Sequence, residues 1–179
     1  MNKKRGTVPN AAPRCEVYMQ KRITKILLWV YLALLVWIIL FELGFSLAEL
    51  DRQRSINLIP FHYDTETSFH IREVISNMLV FLPVGVYLKM LGARTKHAAL
   101  AGFAISLTFE TLQFVLACGA SDITDVITNT AGALVGAAVY AALERVVNTR
   151  MLHLAVNALA AAATVLLAAL LVITVVANR

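Results

Sequence analysis

Five long apolar runs decide what this chain can become. They fall near 26–47, 74–92, 98–118, 126–143 and 152–177. A helix needs about 20 residues to cross a hydrocarbon core of roughly 30 Å, and each run reaches or approaches that length. Hydrophobic residues make up 59% of the sequence, and the mean hydropathy is +0.73, a membrane composition rather than that of a soluble core. The expected fold is therefore an all-α integral membrane bundle of about five transmembrane helices, with no separate soluble domain.

Charge placement orients it. Lys3, Lys4, Arg5, Arg14, Lys21, Arg22 and Lys25 precede the first run. Lys89, Arg94 and Lys96 join the second and third, and Arg145 and Arg150 join the fourth and fifth. Only Arg52, Arg54, Arg72 and Arg179 fall on the alternate side, which carries Glu49, Asp51, Asp64, Glu66, Glu73, Asp122 and Asp125. The positive-inside rule then puts the N-terminus in the cytoplasm and the C-terminus outside. The net charge of +5 reads as a topology signal in contact with anionic lipid, not as a nucleic-acid surface. Cys15 and Cys118 fall on opposite sides of the bilayer, so no disulfide is expected.

Three regions follow. Residues 1–22 are polar, contain Pro9 and Pro13, and read as a disordered basic cytoplasmic tail. Residues 23–150 form the membrane domain, four spans with a long outer loop at 48–73, and 151–179 add a C-terminal transmembrane helix without a functional signal. Within the loop, INLIPFHYDT reads as a re-entrant or interfacial segment, a plain surface loop being the alternative. Pro83 should kink the second span and leave the Leu79 carbonyl in need of a partner. Glu73-Val-Ile-Ser-Asn77 matches Asp125-Val-Ile-Thr-Asn129, and Phe41-Glu42 echoes Phe109-Glu110, as two related helical hairpins would.

The chemistry concentrates in GASDITDVITNTAGALVG, residues 119–136. On a helix, Asp122, Asp125, Asn129, Gly132 and Gly136 line one side, which should face protein rather than lipid. Glu110 and Gln113 share a face of the third span, and helical rise puts Glu110 about 12 Å from its outer end, close to the level of Gly132 and Pro83. A carboxylate at that depth costs about 2.5–3.5 kcal/mol, so it must be neutral or partnered, by Arg54, by Arg72 or by the Leu79 carbonyl. Asp122 suits a helix N-cap. Asn77 and Asn129 suit either interhelical hydrogen bonding or contact with a ligand. No metal site or cofactor is expected: His62, His70, His97 and His153 lack ligand spacing, and Asp122 with Asp125 is a weak cation pair.

These motifs carry a resemblance. NLIPF at 57–61, Asn77 followed by FLPVG at 81–85, Glu110-Thr-Leu-Gln113-Phe, and Asp122-x-x-Asp125-x-x-x-Asn129-x-x-Gly132 stand in the order of the VanZ-like membrane family, over about residues 54–140. The resemblance implies a multi-pass protein of the bacterial plasma membrane, in a family associated with resistance to teicoplanin-type glycopeptides and with no established catalytic mechanism. Relatives place an arginine shortly before the first aspartate. Here Gly119-Ala120-Ser121 stands instead, which brings Arg54 and Arg72 forward as the anion-binding candidates.

The leading expectation is a non-enzymatic protein whose outer-leaflet pocket binds an amphiphile, a lipid-linked cell-wall precursor or a glycopeptide lipid tail. Arg54, Asn57, Arg72, Asn77, Glu110, Gln113, Asp122, Asp125, Asn129 and Gly132 are its candidate ligand-binding residues. In that reading the space beside Gly132 and Gly136 admits a chain. The alternatives are a metal-dependent enzyme acting on a lipid phosphate, with Asp122 and Asp125 on the metal, and a small transporter using Glu110 as its proton site.

Overall fold

The computed structural model describes residues 14–41, 54–61, 67–117 and 119–177, so Glu42, His62 and Cys118 lie outside the described residues. Five helices carry the fold: α1 (Arg14–Phe41), α2 (Thr67–Met90), α3 (Thr95–Leu116), α4 (Ile123–Val146) and α5 (Thr149–Ala177). Among the described residues, four stretches are long and apolar enough to cross a membrane: His70–Met90, Thr95–Leu116, Ile123–Val146 and Thr149–Ala169. The run expected at 26–47 follows α1 as far as Phe41.

One expectation needs correction. The helix α1 begins at Arg14, so residues 14–22 are helical and not part of a disordered tail. Their anchor is distant in sequence. The Asn157 amide donates to the Gln20 side chain at 3.0 Å, and the Thr24 hydroxyl meets Asn157 Oδ1 at 3.1 Å. The all-α bundle stands, with one short strand pair added at its end. Arg54–Asn57 (β1), inside the loop expected at 48–73, pairs in parallel with Gly119–Asp122 (β2), with Arg54 opposite Gly119 and Asn57 opposite Asp122. Backbone groups at the end of a bundle need hydrogen-bond partners, and two short segments from separate connections satisfy each other here.

The centre of the bundle is α2 against α4. They run in the same direction, with Asn77 beside Asp125, Met78 beside Gly132 and Leu82 beside Gly136. A Cβ at Gly132 would collide with the Met78 carbonyl, one at Gly136 with the Leu82 carbonyl, and one at Gly85 with the Ala133 carbonyl. Glycine is required at all three, because backbone lies against backbone. Thus the space beside Gly132 and Gly136 is filled by α2 and admits no chain. Antiparallel to α4 runs α3, with Gly102 against Ala133 and Ser106 bonded to Asn129. Phe81, Val84 and Phe109 pack with Leu35 of α1 on the other side of α2.

Pro83 sits inside α2, which is helical throughout Thr67–Met90. The hairpin echo has unequal packing: α3 and α4 share a buried polar seam, whereas α1 reaches α2 through apolar contacts and the Tyr31 hydroxyl on the Val80 carbonyl. Overpacking a tight interface costs about 1–3 kcal/mol. Gly136→Ala should therefore destabilise the protein by at least that amount in a detergent unfolding titration, while Ala138→Val, on an exposed position of α4, should leave the midpoint unchanged.

Candidate functional site

The polar residues converge where α3 ends and α4 begins. Ala117 terminates α3 in the left-handed conformation, φ 54° and ψ 44°, and its N–H caps the Gln113 and Phe114 carbonyls. The chain then enters β2 and turns directly into α4. Asp122 is the N-cap: its Oδ1 accepts the Thr124 N–H at 2.7 Å. Its Oδ2 accepts the side-chain amide of Asn57 at 2.9 Å, and Asn57 Oδ1 accepts the Ile59 N–H at 3.1 Å. One carboxylate thus starts a helix and fixes the end of β1.

Glu110 does the same from below. It is 8% exposed, and its Oε2 accepts the Asp122 backbone N–H at 2.9 Å. The Ser121 hydroxyl donates to the Glu110 carbonyl oxygen at 2.7 Å. Its carboxylate turns toward β2, not toward the carbonyl vacated by Pro83, because the turn from α3 into β2 presents an N–H within reach. Thr124 ties in the far side of the loop, accepting the Phe61 N–H at 3.0 Å and holding Phe61 at φ 56°, a left-handed conformation uncommon for a bulky residue.

Deeper, the Asn77 amide donates to Asp125 Oδ1 at 2.6 Å, and the Asn129 amide donates to Ser106 Oγ at 2.9 Å. Asn129 is 6% exposed, so with Glu110 it points into the protein. Both asparagines spend their donors between helices, the hydrogen-bonding alternative of the sequence. Asn129 Oδ1 is buried without a partner. Gln113 is half-buried and Arg72 exposed, while Arg54 contributes backbone to β1. Among the described residues no group of three or more His, Cys, Asp or Glu side chains could hold a metal ion, and each oxygen of Asp122 already accepts one hydrogen bond within the fold.

Beside this network lies a cleft of about 270 Å³. Its walls are Ile56, Leu58, Leu107, Phe114 and Val126, and Glu110, Ser121 and Asp122 supply its polar floor. A larger groove of about 520 Å³ runs between α1, α2 and α5 and is almost wholly apolar. Two of its polar groups are satisfied internally, the Tyr31 hydroxyl on the Val80 carbonyl and the Thr164 hydroxyl on the Ala160 carbonyl.

Relatives place this arrangement. The profile of the VanZ/LLP1 family matches residues 28–144, which hold β1, β2, the cleft and every candidate residue. The chain belongs to the VanZ/LLP1 family. Protein VanZ of Enterococcus faecium is 40% identical over 140 residues, covering 75% of this chain and 83% of that protein. No solved structure matches it. With its apolar helices, family membership makes this a multi-pass protein of the bacterial plasma membrane. The start of α1 and all of α5 lie outside the matched region.

Sequence reading missed three contributors to this network, Ser106, Ser121 and Thr124. Ser106 stands one turn before Glu110 on the same face, a signal that was available; the roles of Ser121 and Thr124 depend on how the chain turns. Replacing an N-cap aspartate by alanine costs about 0.5–2 kcal/mol. Asp122→Ala should lower the melting temperature in detergent accordingly, and Asp122→Asn, an equally good cap, should recover most of it. A double-mutant cycle on Asn77 and Asp125 should return a coupling of about 0.6–1.7 kcal/mol.

Proposed function

We propose that this protein is a non-enzymatic member of its family that binds an amphiphile at the polar end of the bundle, in the outer leaflet of the membrane. One observation carries the reading. The cleft has apolar walls that end on a buried carboxylate floor, so it matches a molecule that is a hydrocarbon chain at one end and polar at the other. The acid pair that a metal-dependent reaction would use is occupied otherwise: Asp122 caps α4 and holds Asn57, and Asp125 holds Asn77. Polar groups arranged to satisfy one another build a rigid receptacle rather than a reactive centre.

Among amphiphiles the family's association with teicoplanin resistance directs attention to the envelope. A glycopeptide lipid tail or a lipid-linked cell-wall precursor is the ligand class we assign, with membrane lipid as the surrounding solvent. The region 23–150 is the binding domain in this reading, and the C-terminal helix is accessory to it.

The test is antibiotic susceptibility. Cells producing the protein should tolerate more teicoplanin than cells lacking it. Leu107→Trp, which fills the cleft, should remove most of the difference at equal membrane abundance, whereas Leu134→Trp, on an exposed face of α4 outside the cleft, should keep it. Equal tolerance with and without the protein would defeat the reading. Chelator-sensitive hydrolysis of a lipid pyrophosphate by purified protein would replace it with the enzymatic one.

A further inference from the structure

We infer that the cleft between β1, α3 and the start of α4 recognises its amphiphile through an N–H donor on the head, an amide or ammonium nitrogen, and discriminates against a phosphate head. This rests on the amphiphile reading and adds the chemistry of the head. It follows from what the cleft has left to offer. Two hydroxyls line it, and both are spent as donors: Thr111 on the Leu107 carbonyl at 2.7 Å and Ser121 on the Glu110 carbonyl at 2.7 Å.

Three nearby N–H groups are spent as well. The Asp122 amide goes to Glu110 Oε2, the Thr124 amide to Asp122 Oδ1, and the Asn57 side-chain amide to Asp122 Oδ2. What these groups still present is lone pairs, on the carboxylates and on the hydroxyl oxygens. A carboxylate has about four acceptor positions, and Glu110 uses one of them on Asp122. Among the described side chains that line the cleft, none is cationic.

A lining of acceptors selects a donor. An amide or ammonium nitrogen gains hydrogen bonds to these oxygens, and those to an ionised carboxylate are the stronger kind. A phosphate brings acceptors of its own and places negative charge beside Glu110 and Asp122, with Asp125 behind them. The apolar walls, Leu58, Leu107, Phe114 and Val126, take the first part of the chain whichever head is attached, so the head alone decides the preference.

Three single-chain probes of equal length separate the possibilities: dodecylammonium, N-dodecylacetamide and dodecyl phosphate. Each is titrated into full-length protein in a neutral maltoside detergent, and ligand-induced thermal stabilisation is read. Leu107→Trp is measured in parallel, to subtract partitioning into the micelle. The N–H probes should bind in a Leu107-dependent way, about tenfold or more tighter than dodecyl phosphate. Ammonium above amide identifies charge as the larger part of the preference, and parity identifies the hydrogen bond.

Glu110→Gln keeps an acceptor for the Asp122 N–H but turns an N–H₂ group toward its other partners, so it should shrink the gap. Should that variant not fold, the ranking of the probes on wild-type protein still decides. Dodecyl phosphate binding as tightly as the N–H probes in a Leu107-dependent way would overturn the inference and leave the amphiphile reading standing; loss of that binding in Arg54→Gln would assign the phosphate to β1. Failure of every probe to bind in a Leu107-dependent way would overturn both.

Discussion

The contact on which the rest depends is α2 lying backbone to backbone along α4. Lipid tails are as apolar as leucine, so burying hydrocarbon gives two membrane helices little reason to associate, and close packing with internal hydrogen bonds must do it. Gly85, Gly132 and Gly136 allow the carbonyls of the neighbouring helix to occupy the positions where side chains would stand. That approach sets the spacing at which Asn77 reaches Asp125, and it fixes where α4 begins. The cap, the short strands and the cleft are all placed from that point.

Much of this could be read from residue order. The acid, amide and glycine spacing of 122–136 is a helical face, and a polar face in so apolar a chain must meet protein; the structure places it there, with Asn129 and Glu110 both turned inward. The N-cap role of Asp122 was legible because aspartate directly before an apolar run is a common helix N-cap. What could not be read was which distant backbone would come to lie beside it. Arg54–Asn57 and Gly119–Asp122 are too short for strand periodicity to register, and each becomes a strand only because the other is present. The role of Gly132 stayed open for a similar reason. A glycine shows that something approaches closely, but not whether the visitor is a ligand or, as here, a neighbouring helix.

The carboxylates illustrate how a membrane protein can keep acids at the edge of hydrocarbon. Asp122 and Asp125 are each held by an asparagine from a different segment, Asn57 and Asn77, and Glu110 by a backbone amide. Each acid accepts hydrogen bonds, and the donors come from β1, α2 and β2 in turn, so the cluster welds separate elements together. Its stiffness is a precondition for selectivity, since a pocket that could re-pair its own polar groups would not distinguish one head from another.

The union of Gln20, Thr24 and Asn157 has a consequence for how the molecule is made. The partners lie more than a hundred residues apart, so the first helix is synthesised and inserted long before the last one exists. Thr24 can wait at little cost, because its hydroxyl also meets the Gln20 carbonyl at 2.9 Å within its own helix. The Gln20 side chain has no such local refuge. The first helix is thus held in suspense until α5 arrives, and assembly closes as a ring does, with α1 and α5 joining.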